Sequence, residues 1–269
     1  MITASLQFNT SFFWHELLRP SSTFLGGLGR TVYISVLAQL FGVILGLMVA
    51  LARRSTLRVL RSVAGFYVWV LRGTPLLVQL VIIFDGLAAT DIYTFRDLTF
   101  LGISVLASVQ AAIVTLALNE SAYMSEIIRA GLAAVDVGQN EAALSIGMTP
   151  AQSMRYVVVP QAMRFVIPPL GNDFNAMMKS TSVLSVIGVP EMFLITQEIS
   201  SSTFHTFEIF ADAALYYLAL TTIWTFIQAW IEIKVDRSWG IERTKRSPIS
   251  YLRERYRNPR TFGVSRRGI

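Results

Sequence analysis

The sequence predicts an all-α membrane protein with about five transmembrane helices. Of its 269 residues, 53% are apolar or aromatic and only 15% are charged, against roughly 25% in an average soluble domain. Three charge-free stretches, 31–52, 98–119 and 213–231, are each long enough to cross a hydrocarbon core about 30 Å thick as a helix. Two further apolar stretches, 63–89 and 165–189, contain charged residues and are counted as the second and fourth spans.

The basic residues orient these spans, since Lys and Arg near the ends of spans stay on the cytoplasmic side. Twenty of the 23 Lys and Arg residues fall in segments that one orientation places in the cytoplasm. We therefore expect an external N-terminal segment at 1–23, a membrane domain at 24–236 and a basic cytoplasmic tail at 237–269. The tail is either a solvated retention signal or a surface that lies on anionic lipid head groups.

Several function classes are disfavoured by composition. The chain has no cysteine, and its two histidines, His15 and His205, are far apart in sequence, so we expect no metal site. The residue before Lys179-Ser180 is Met178 rather than the glycine of a phosphate-binding loop, so the chain cannot hydrolyse ATP by itself. We expect no catalytic residue. The net charge of +6 comes from basic residues that orient the spans, and we do not take it as a sign of nucleic-acid binding.

The segment between the third and fourth spans carries the sharpest local pattern, which predicts a helix, a turn and a second helix. Gly138 precedes the first helix, Glu141 suits the positive end of its dipole, and Gly147 can end it in a left-handed conformation. Thr149 can cap the second helix, which has Pro150 at its first position.

This second helix is expected to stop before Pro160. In the first helix, the small side chains of Ala142 and Ala143 allow another protein to approach closely beside the carboxylate of Glu141. Such a surface is typical of a docking site. An ordinary helical hairpin between two spans is the alternative interpretation.

The order of these residues resembles the EAA loop of ABC importer permeases. Glu141-Ala142-Ala143 is followed after three residues by Gly147, then after nine by Val157 and after one more by Val159-Pro160. Valines stand where the family pattern has Ile and Leu. Flanking motifs are similar to those of the polar amino-acid family of permeases, also called histidine/glutamine-type, over about residues 25–235. Two of these motifs are Arg72-Gly73-Thr74-Pro75-Leu76 and Lys179-Ser180-Thr181-Ser182-Val183.

The resemblance implies the fold of a type I ABC importer permease, in a bacterial-type inner membrane, with a cytoplasmic coupling loop at about 138–160. It implies four protein partners: a second permease subunit, identical or similar, two cytoplasmic ATPase subunits and an external substrate-binding protein. ATP and Mg would belong to the ATPase subunits, which leaves this chain without a cofactor. The residues expected to dock the ATPase are Gly138, Gln139, Glu141, Ala142, Ala143, Gly147, Thr149 and Pro150.

Polar residues within the spans predict the substrate path, because such residues are costly in lipid and usually face a cavity or a partner. Arg72 either meets the carboxylate of a substrate or extends its head group to the cytoplasmic interface. Glu120 can receive an ammonium group, whereas Lys179 either lines the path or pairs with Glu120 or Asp173. The expected path residues are Arg72, Thr74, Gln79, Asn119, Glu120, Lys179, Thr181 and Ser182.

The cargo is expected to be a polar amino acid, glutamate or glutamine rather than a cationic one. Related permeases commonly carry Asp where this chain has Ser180, so a carboxylate that could bind a cationic side chain is missing. Glu120 can still bind such a side chain, so arginine and histidine remain alternative cargoes. The alternative function is a secondary transporter or channel without ATPases, which leaves the docking loop unexplained. A membrane-embedded enzyme needs clustered ligands or an activated nucleophile, and the sequence contains neither.

Overall fold

The computed structural model of the chain describes residues 8–100, 103–238, 249–250 and 252–253. Its α-helices are α1 (Thr10–Leu18), α2 (Ser22–Arg53), α3 (Arg58–Gly73), α4 (Leu76–Val81), α5 (Leu87–Ala89), α6 (Ala107–Ala133), α7 (Val137–Ser145), α8 (Pro150–Ser153), α9 (Val159–Ser180), α10 (Met192–Thr203) and α11 (Thr206–Ser238). Wider π-helical turns lie at Ile82–Gly86 and Met154–Val158, and a tighter 3-10 turn lies at Thr181–Ile187. The strands are β1 (Leu98–Phe100) and β2 (Ile103–Val105). The predicted helical fold class is confirmed.

Two helical segments are long and apolar enough to cross a membrane without a break, Ser22–Arg53 and Thr206–Val235. Two bent pairs qualify as well if each is one span, namely Arg58–Gly73 with Leu76–Ala89, bent by 111°, and Pro150–Ile187 with Met192–Thr203, bent by 54°. Helix α6 is 27 residues long, about 40 Å, but it is not among these segments. The described residues therefore support two to four spans, and the count of five stays a prediction.

The third predicted span is wrong at its start, because Leu98–Phe100 and Ile103–Val105 are β-strands. Strands β1 and β2 pair antiparallel, with Leu98 opposite Val105. β-branched residues such as Ile103 favour strands, and the absence of charge alone cannot distinguish a strand from a helix. Helix α6 begins only at Ala107, whose N–H donates to the Asp97 carboxylate at 2.7 Å.

The chain divides into two compact units, and the first comprises Met1–Ala130 and Ala176–Leu218. Its main core joins α2, α4, α6 and the 3-10 turn, and Ile34 and Leu80 in this core are fully buried. Helix α1, which the sequence did not predict, belongs to this unit and begins at Thr10, after the N-cap residue Asn9, whose side chain accepts the Phe12 N–H.

Helices α2 and α6 approach each other at two glycines of α2. A Cβ atom at Gly42 would lie 2.6 Å from the Cγ atom of Glu120, and one at Gly46 would lie 2.5 Å from the Cβ atom of Met124. Real side chains do not tolerate such separations, so glycine is required at both positions. Small residues on one face let helices in a membrane pack with their backbones close together.

An ion triad fastens the C-terminal end of α2 to α6. The Glu126 carboxylate binds the Arg53 guanidinium through one oxygen and Arg129 Nε through the other, the latter at 2.8 Å. The triad lies close to Ala130, where the first unit ends. The triad therefore joins α2 to α6 within the first unit.

The second unit comprises Gly131–Asn175 and Ala219–Ile269. Its helix α9 contains Pro168 and Pro169, which supply no N–H donor. Side chains of α11 donate to carbonyl oxygens around these prolines. Trp224 Nε1 donates to the Gly171 carbonyl at 2.8 Å, and Gln228 Nε2 donates to the Pro168 carbonyl at 3.2 Å.

The prediction that the second helix of the loop stops before Pro160 is wrong. The helical run continues from Pro150 to Ile187. A π-helical turn at Met154–Val158 precedes the proline, and the Val159 N–H bonds to the Met154 carbonyl, five residues back. This wider turn shifts the hydrogen-bond register just before the proline ring, so the helix continues instead of ending.

The predicted segment boundaries remain predictions. Helix α2 begins at Ser22, close to the expected start of the membrane domain at residue 24. Most of the basic tail predicted at 237–269 lies outside the described residues.

Candidate functional site

The predicted docking residues lie on a helical elbow, which we define as α7, the turn after it, and α8. Helix α7 starts at Val137, because the Asp136 carboxylate caps it by accepting the Gly138 N–H at 2.7 Å. Gly138 therefore lies inside the first turn. The prediction that Gly138 precedes the helix is wrong. Aspartate is a strong N-cap residue, and the sequence prediction overlooked it.

The turn of the elbow has the predicted chemistry. Gly147 has a φ of +89°, a left-handed conformation that glycine adopts at little cost. Thr149 then caps α8 in a reciprocal capping box: its hydroxyl accepts the Gln152 N–H, and the Gln152 side chain accepts the Thr149 N–H. Pro150 is at the first helical position, as predicted. Both ends of the turn are therefore held by local hydrogen bonds.

Side-chain contacts on the inner side brace the two arms of the elbow. Ser153 Oγ, which is buried, donates to Asn140 Oδ1 at 2.7 Å and so joins α8 to α7. Gln161 Nε2 donates to Gln139 Oε1 at 3.1 Å and joins α9 to α7. These bonds connect the arms of the elbow to each other and to the long helix α9.

The outer side of the elbow exposes an apolar face with one carboxylate. Val137, Glu141 and Leu144 follow each other at helical spacings of four and three residues, and all are exposed. Ile146, in the turn, is 76% exposed. Ala142 is exposed, whereas Ala143 is buried, and the part of both alanines in docking stays a prediction.

The predicted path residues all lie in the first unit, and four of them meet at the break after α3. The Gln79 side chain, which is buried, donates to the carbonyls of Leu71 and Thr74 at 2.7 and 3.0 Å. It also accepts a bond from Asn119 Nδ2 at 2.9 Å. These amides satisfy backbone groups that the break leaves without helical partners. Arg72, nearby, is exposed and lies 5.3 Å above the Tyr123 ring.

Glu120 faces α2 and is buried. Its Oε1 atom accepts a hydrogen bond from Gln39 Nε2 at 3.0 Å. Lys179 is exposed and forms no ion pair within the described part of the chain. The alternative in which Lys179 pairs with Glu120 or Asp173 is therefore wrong for this structure.

The two remaining path residues, Thr181 and Ser182, lie in the 3-10 turn. Thr181 is fully buried and donates to the Met178 carbonyl at 2.8 Å, and Ser182 donates to the Lys179 carbonyl at 2.8 Å. The 3-10 turn packs against α4, so the two groups of predicted path residues lie on neighbouring elements. Their role in transport stays a prediction.

Replacing Gln79 should loosen the break after α3. In Gln79→Leu, the carbonyls of Leu71 and Thr74 lose the Gln79 donor, and a group left unsatisfied away from water costs about 1–3 kcal/mol. We expect a lower midpoint of thermal unfolding in detergent. The control is Gln197→Leu, because Gln197 is exposed and its side chain forms no hydrogen bond among the described residues. Equal midpoints for the two variants would show that Gln79 does not stabilise the break.

One charged residue of this region, Asp85, is not among the predicted path residues. In the structure it lies in the π-helical turn at Ile82–Gly86, a type of turn that is frequent at functional sites. Its side chain is exposed. The sequence signal was a lone carboxylate in an otherwise apolar stretch.

The described residues contain no group of three or more side chains suited to hold a metal ion. Each histidine lies beside a glutamate: His15 Nδ1 is 3.2 Å from Glu16, and His205 Nδ1 is 3.9 Å from Glu208. The candidate functional residues thus form two groups, one on the exposed helical elbow and one at the broken span with its polar side chains.

A family of transport proteins has this sequence pattern. The family model described as "Binding-protein-dependent transport system inner membrane component" matches residues 42–237. The chain belongs to this family. It is thus an integral membrane permease of a binding-protein-dependent transport system.

Individual relatives of the permease are subunits of amino-acid transporters. The probable amino-acid ABC transporter permease protein PatM of Vibrio harveyi is 38% identical over 79% of this chain and 91% of its own length. The L-cystine transport system permease protein TcyB of Bacillus subtilis is 40% identical over 79% and 86%. The glutamine transport system permease protein GlnP of Escherichia coli K12 is 34% identical over 82% and 95%.

Solved structures match the permease over nearly their whole length. A chain from the crystal structure of an amino acid ABC transporter with histidines is 38% identical, has a TM-score of 0.71, and is matched over 85% of this chain and 98% of its own. A chain of the MetNI methionine ABC transporter, 17% identical with a TM-score of 0.62 over 84% and 99%, shares the fold. The resemblance to polar amino-acid ABC importer permeases is confirmed, and the chain is a transport subunit rather than an enzyme.

Proposed function

We propose that this permease imports a polar amino acid, glutamate or glutamine, by alternating access that cytoplasmic ATPase subunits drive through the elbow. The functional unit would contain a second permease subunit, identical or similar, two ATPase subunits and an external substrate-binding protein. The N-terminus would be external and the C-terminus cytoplasmic. ATP and Mg would be bound by the ATPase subunits.

One observation carries the ATPase part of this proposal, namely the exposed face of α7. Val137, Leu144 and Ile146 leave apolar surface uncovered around the Glu141 carboxylate. Apolar contact area with one charge is suited to a protein partner that offers a hydrophobic cleft and a basic or amide donor. Because this segment resembles the EAA loop, we propose an ATPase subunit as the partner that binds this surface.

The bracing of the elbow supports its role as a lever. Asn140 and Gln139 in α7 are bonded to Ser153 and Gln161, so a push on α7 is transmitted to α9. A loosely hinged loop would absorb such a displacement. Because the helical run continues through Pro160, the elbow and the long helix would move together.

The charges in the predicted path favour an anionic cargo. Arg72 and Lys179 are exposed cations without a carboxylate partner among the described residues. Glu120, the acidic residue of the predicted path, is buried against Gln39 instead. Two free cations attract the carboxylates of glutamate and repel the side chain of arginine.

The docking proposal is tested by cross-linking. The chain has no cysteine, so Ala142→Cys introduces a single thiol on the exposed face of α7. We expect this thiol to cross-link to a co-expressed ATPase subunit, whereas Glu198→Cys, on α10 of the first unit, should not. Cross-linking from both positions, or from neither while the ATPase is still co-purified, would contradict docking at the elbow.

The cargo proposal is tested by uptake. Vesicles containing the whole transporter should accumulate labelled glutamate or glutamine faster than labelled arginine by at least about tenfold, since one unfavourable charge pair in a partly desolvated site costs on the order of 1.4 kcal/mol. A clear preference for arginine would overturn the proposed cargo and leave the ATPase proposal standing.

A further inference from the structure

The first bent pair of helical segments in the chain, α3 followed by α4 and α5, carries a carboxylate that none of the functions above uses. The segments Arg58–Gly73 and Leu76–Ala89 meet at an angle of 111°, which is the geometry of a broken or re-entrant span. Asp85 lies on the second arm, within the π-helical turn at Ile82–Gly86. It is the acidic residue of an otherwise uncharged apolar arm.

Within the described residues, no hydrogen bond or ion pair gives the Asp85 carboxylate a structural role. Among the described residues, it forms neither a hydrogen bond nor an ion pair, and its side chain is exposed. Its neighbour Phe84 turns the other way and packs on the core of the first unit. A charged side chain at membrane depth is tolerated where it faces a water-filled cavity or a partner, and such residues mark substrate pathways.

The arm that carries Asp85 packs against an element of the predicted path. Helix α4, which directly precedes the π-helical turn, packs against the 3-10 turn Thr181–Ile187. Leu80 of α4 and Leu184 of the 3-10 turn are both fully buried in the core that Phe84 joins. The carboxylate is thus held on an element that is fixed against the segment following Lys179.

We propose that Asp85 receives the α-ammonium group of the transported amino acid and so makes the path selective for substrates that carry this group. This inference rests on the proposed amino-acid import and adds the residue that recognises the ammonium group. Together with Arg72 and Lys179, Asp85 offers two positive charges and one negative charge. Glutamate carries two carboxylates and one ammonium group, which is the complementary set.

The test compares two ligands that differ only in the ammonium group, glutamate and glutarate, on the purified transporter complex. Thermal unfolding is measured with each ligand at the same high concentration, because a ligand that binds the folded state raises the midpoint. We expect glutamate to raise the midpoint of the wild type more than glutarate does. In Asp85→Asn, the response to glutamate should fall to that of glutarate, a loss of affinity of about tenfold to a hundredfold for one charge-assisted hydrogen bond.

Asp91→Asn is the matched control, because it makes the same change six residues on. Asp91 has a φ of +55°, which asparagine also accepts, and its variant should respond to glutamate as the wild type does. Asp85→Glu keeps the charge and should retain a response to glutamate larger than that to glutarate. Asp85→Ser repeats the removal of the charge with a smaller side chain.

Two results would overturn the inference in different ways. If Asp85→Asn and Asp85→Ser respond to glutamate as the wild type does, Asp85 does not bind the ammonium group, and the proposed import is untouched. If the wild type responds to neither glutamate, glutamine nor arginine, the proposed cargo fails, and this inference fails with it.

Discussion

The variant Glu141→Lys should abolish ATP-driven uptake while leaving the permease folded. Glu141 is exposed on α7 at the centre of the apolar docking face, so its reversal places a cation where the ATPase subunit is expected to bind. Charge reversal at an interface replaces an attraction by a repulsion, which costs several kcal/mol. Uptake is expected to fall at least about a hundredfold, and less ATPase should be recovered with the purified permease.

Glu198→Lys provides the control for this result. Glu198 is also exposed, but it lies on α10 in the first unit, away from the elbow in sequence. This variant should keep both uptake and ATPase recovery near the wild-type values. Normal uptake by Glu141→Lys would mean that the exposed carboxylate plays no part in coupling.

The variant Gly46→Leu should be the most destabilising single change that we can name. A Cβ atom at residue 46 would already lie 2.5 Å from the Met124 Cβ atom and 3.0 Å from the Ser121 carbonyl oxygen. Helices α2 and α6 must separate to admit a leucine, and overpacking of this kind costs about 3 kcal/mol or more. We expect a loss of monodisperse protein in size-exclusion chromatography and a strongly lowered midpoint of thermal unfolding.

Gly29→Leu makes the same substitution on the same helix. A Cβ atom at Gly29 meets no other atom within 4 Å, and glycine is a poor helix former, so this variant should be as stable as the wild type or more stable. Equal losses in both variants would show that the two positions do not differ in packing, contrary to the contact at Met124.

The elbow was largely predictable from sequence because its determinants are local. Thr149, Pro150 and Gly147 act within one turn of their own positions, and the structure confirms the cap, the first-turn proline and the left-handed glycine. The prediction failed at Pro160, because the π-helical turn that accommodates the proline depends on hydrogen-bond register rather than on residue type. Burial of Ala143 also escaped prediction, since it depends on which face of α7 meets the rest of its unit.

The contacts of the membrane part were not predictable from local sequence. Pro75, which supplies no N–H donor, lies at the break that the structure shows as a bend of 111°. The partners of Gln79 and Glu120 lie up to 81 residues away in sequence, and no local pattern identifies them. Asp85 was visible as a charge, but only the structure shows that it lacks a partner on an arm packed near the predicted path.

The most direct test of the account is accumulation of glutamate and glutamine by vesicles that contain the permease with its binding protein, with and without ATPase subunits. We expect accumulation against a gradient only when the ATPase subunits are present and ATP is supplied on the side of the membrane where the elbow lies. Accumulation at the same rate without ATPase subunits would contradict it and would favour a secondary transporter or channel.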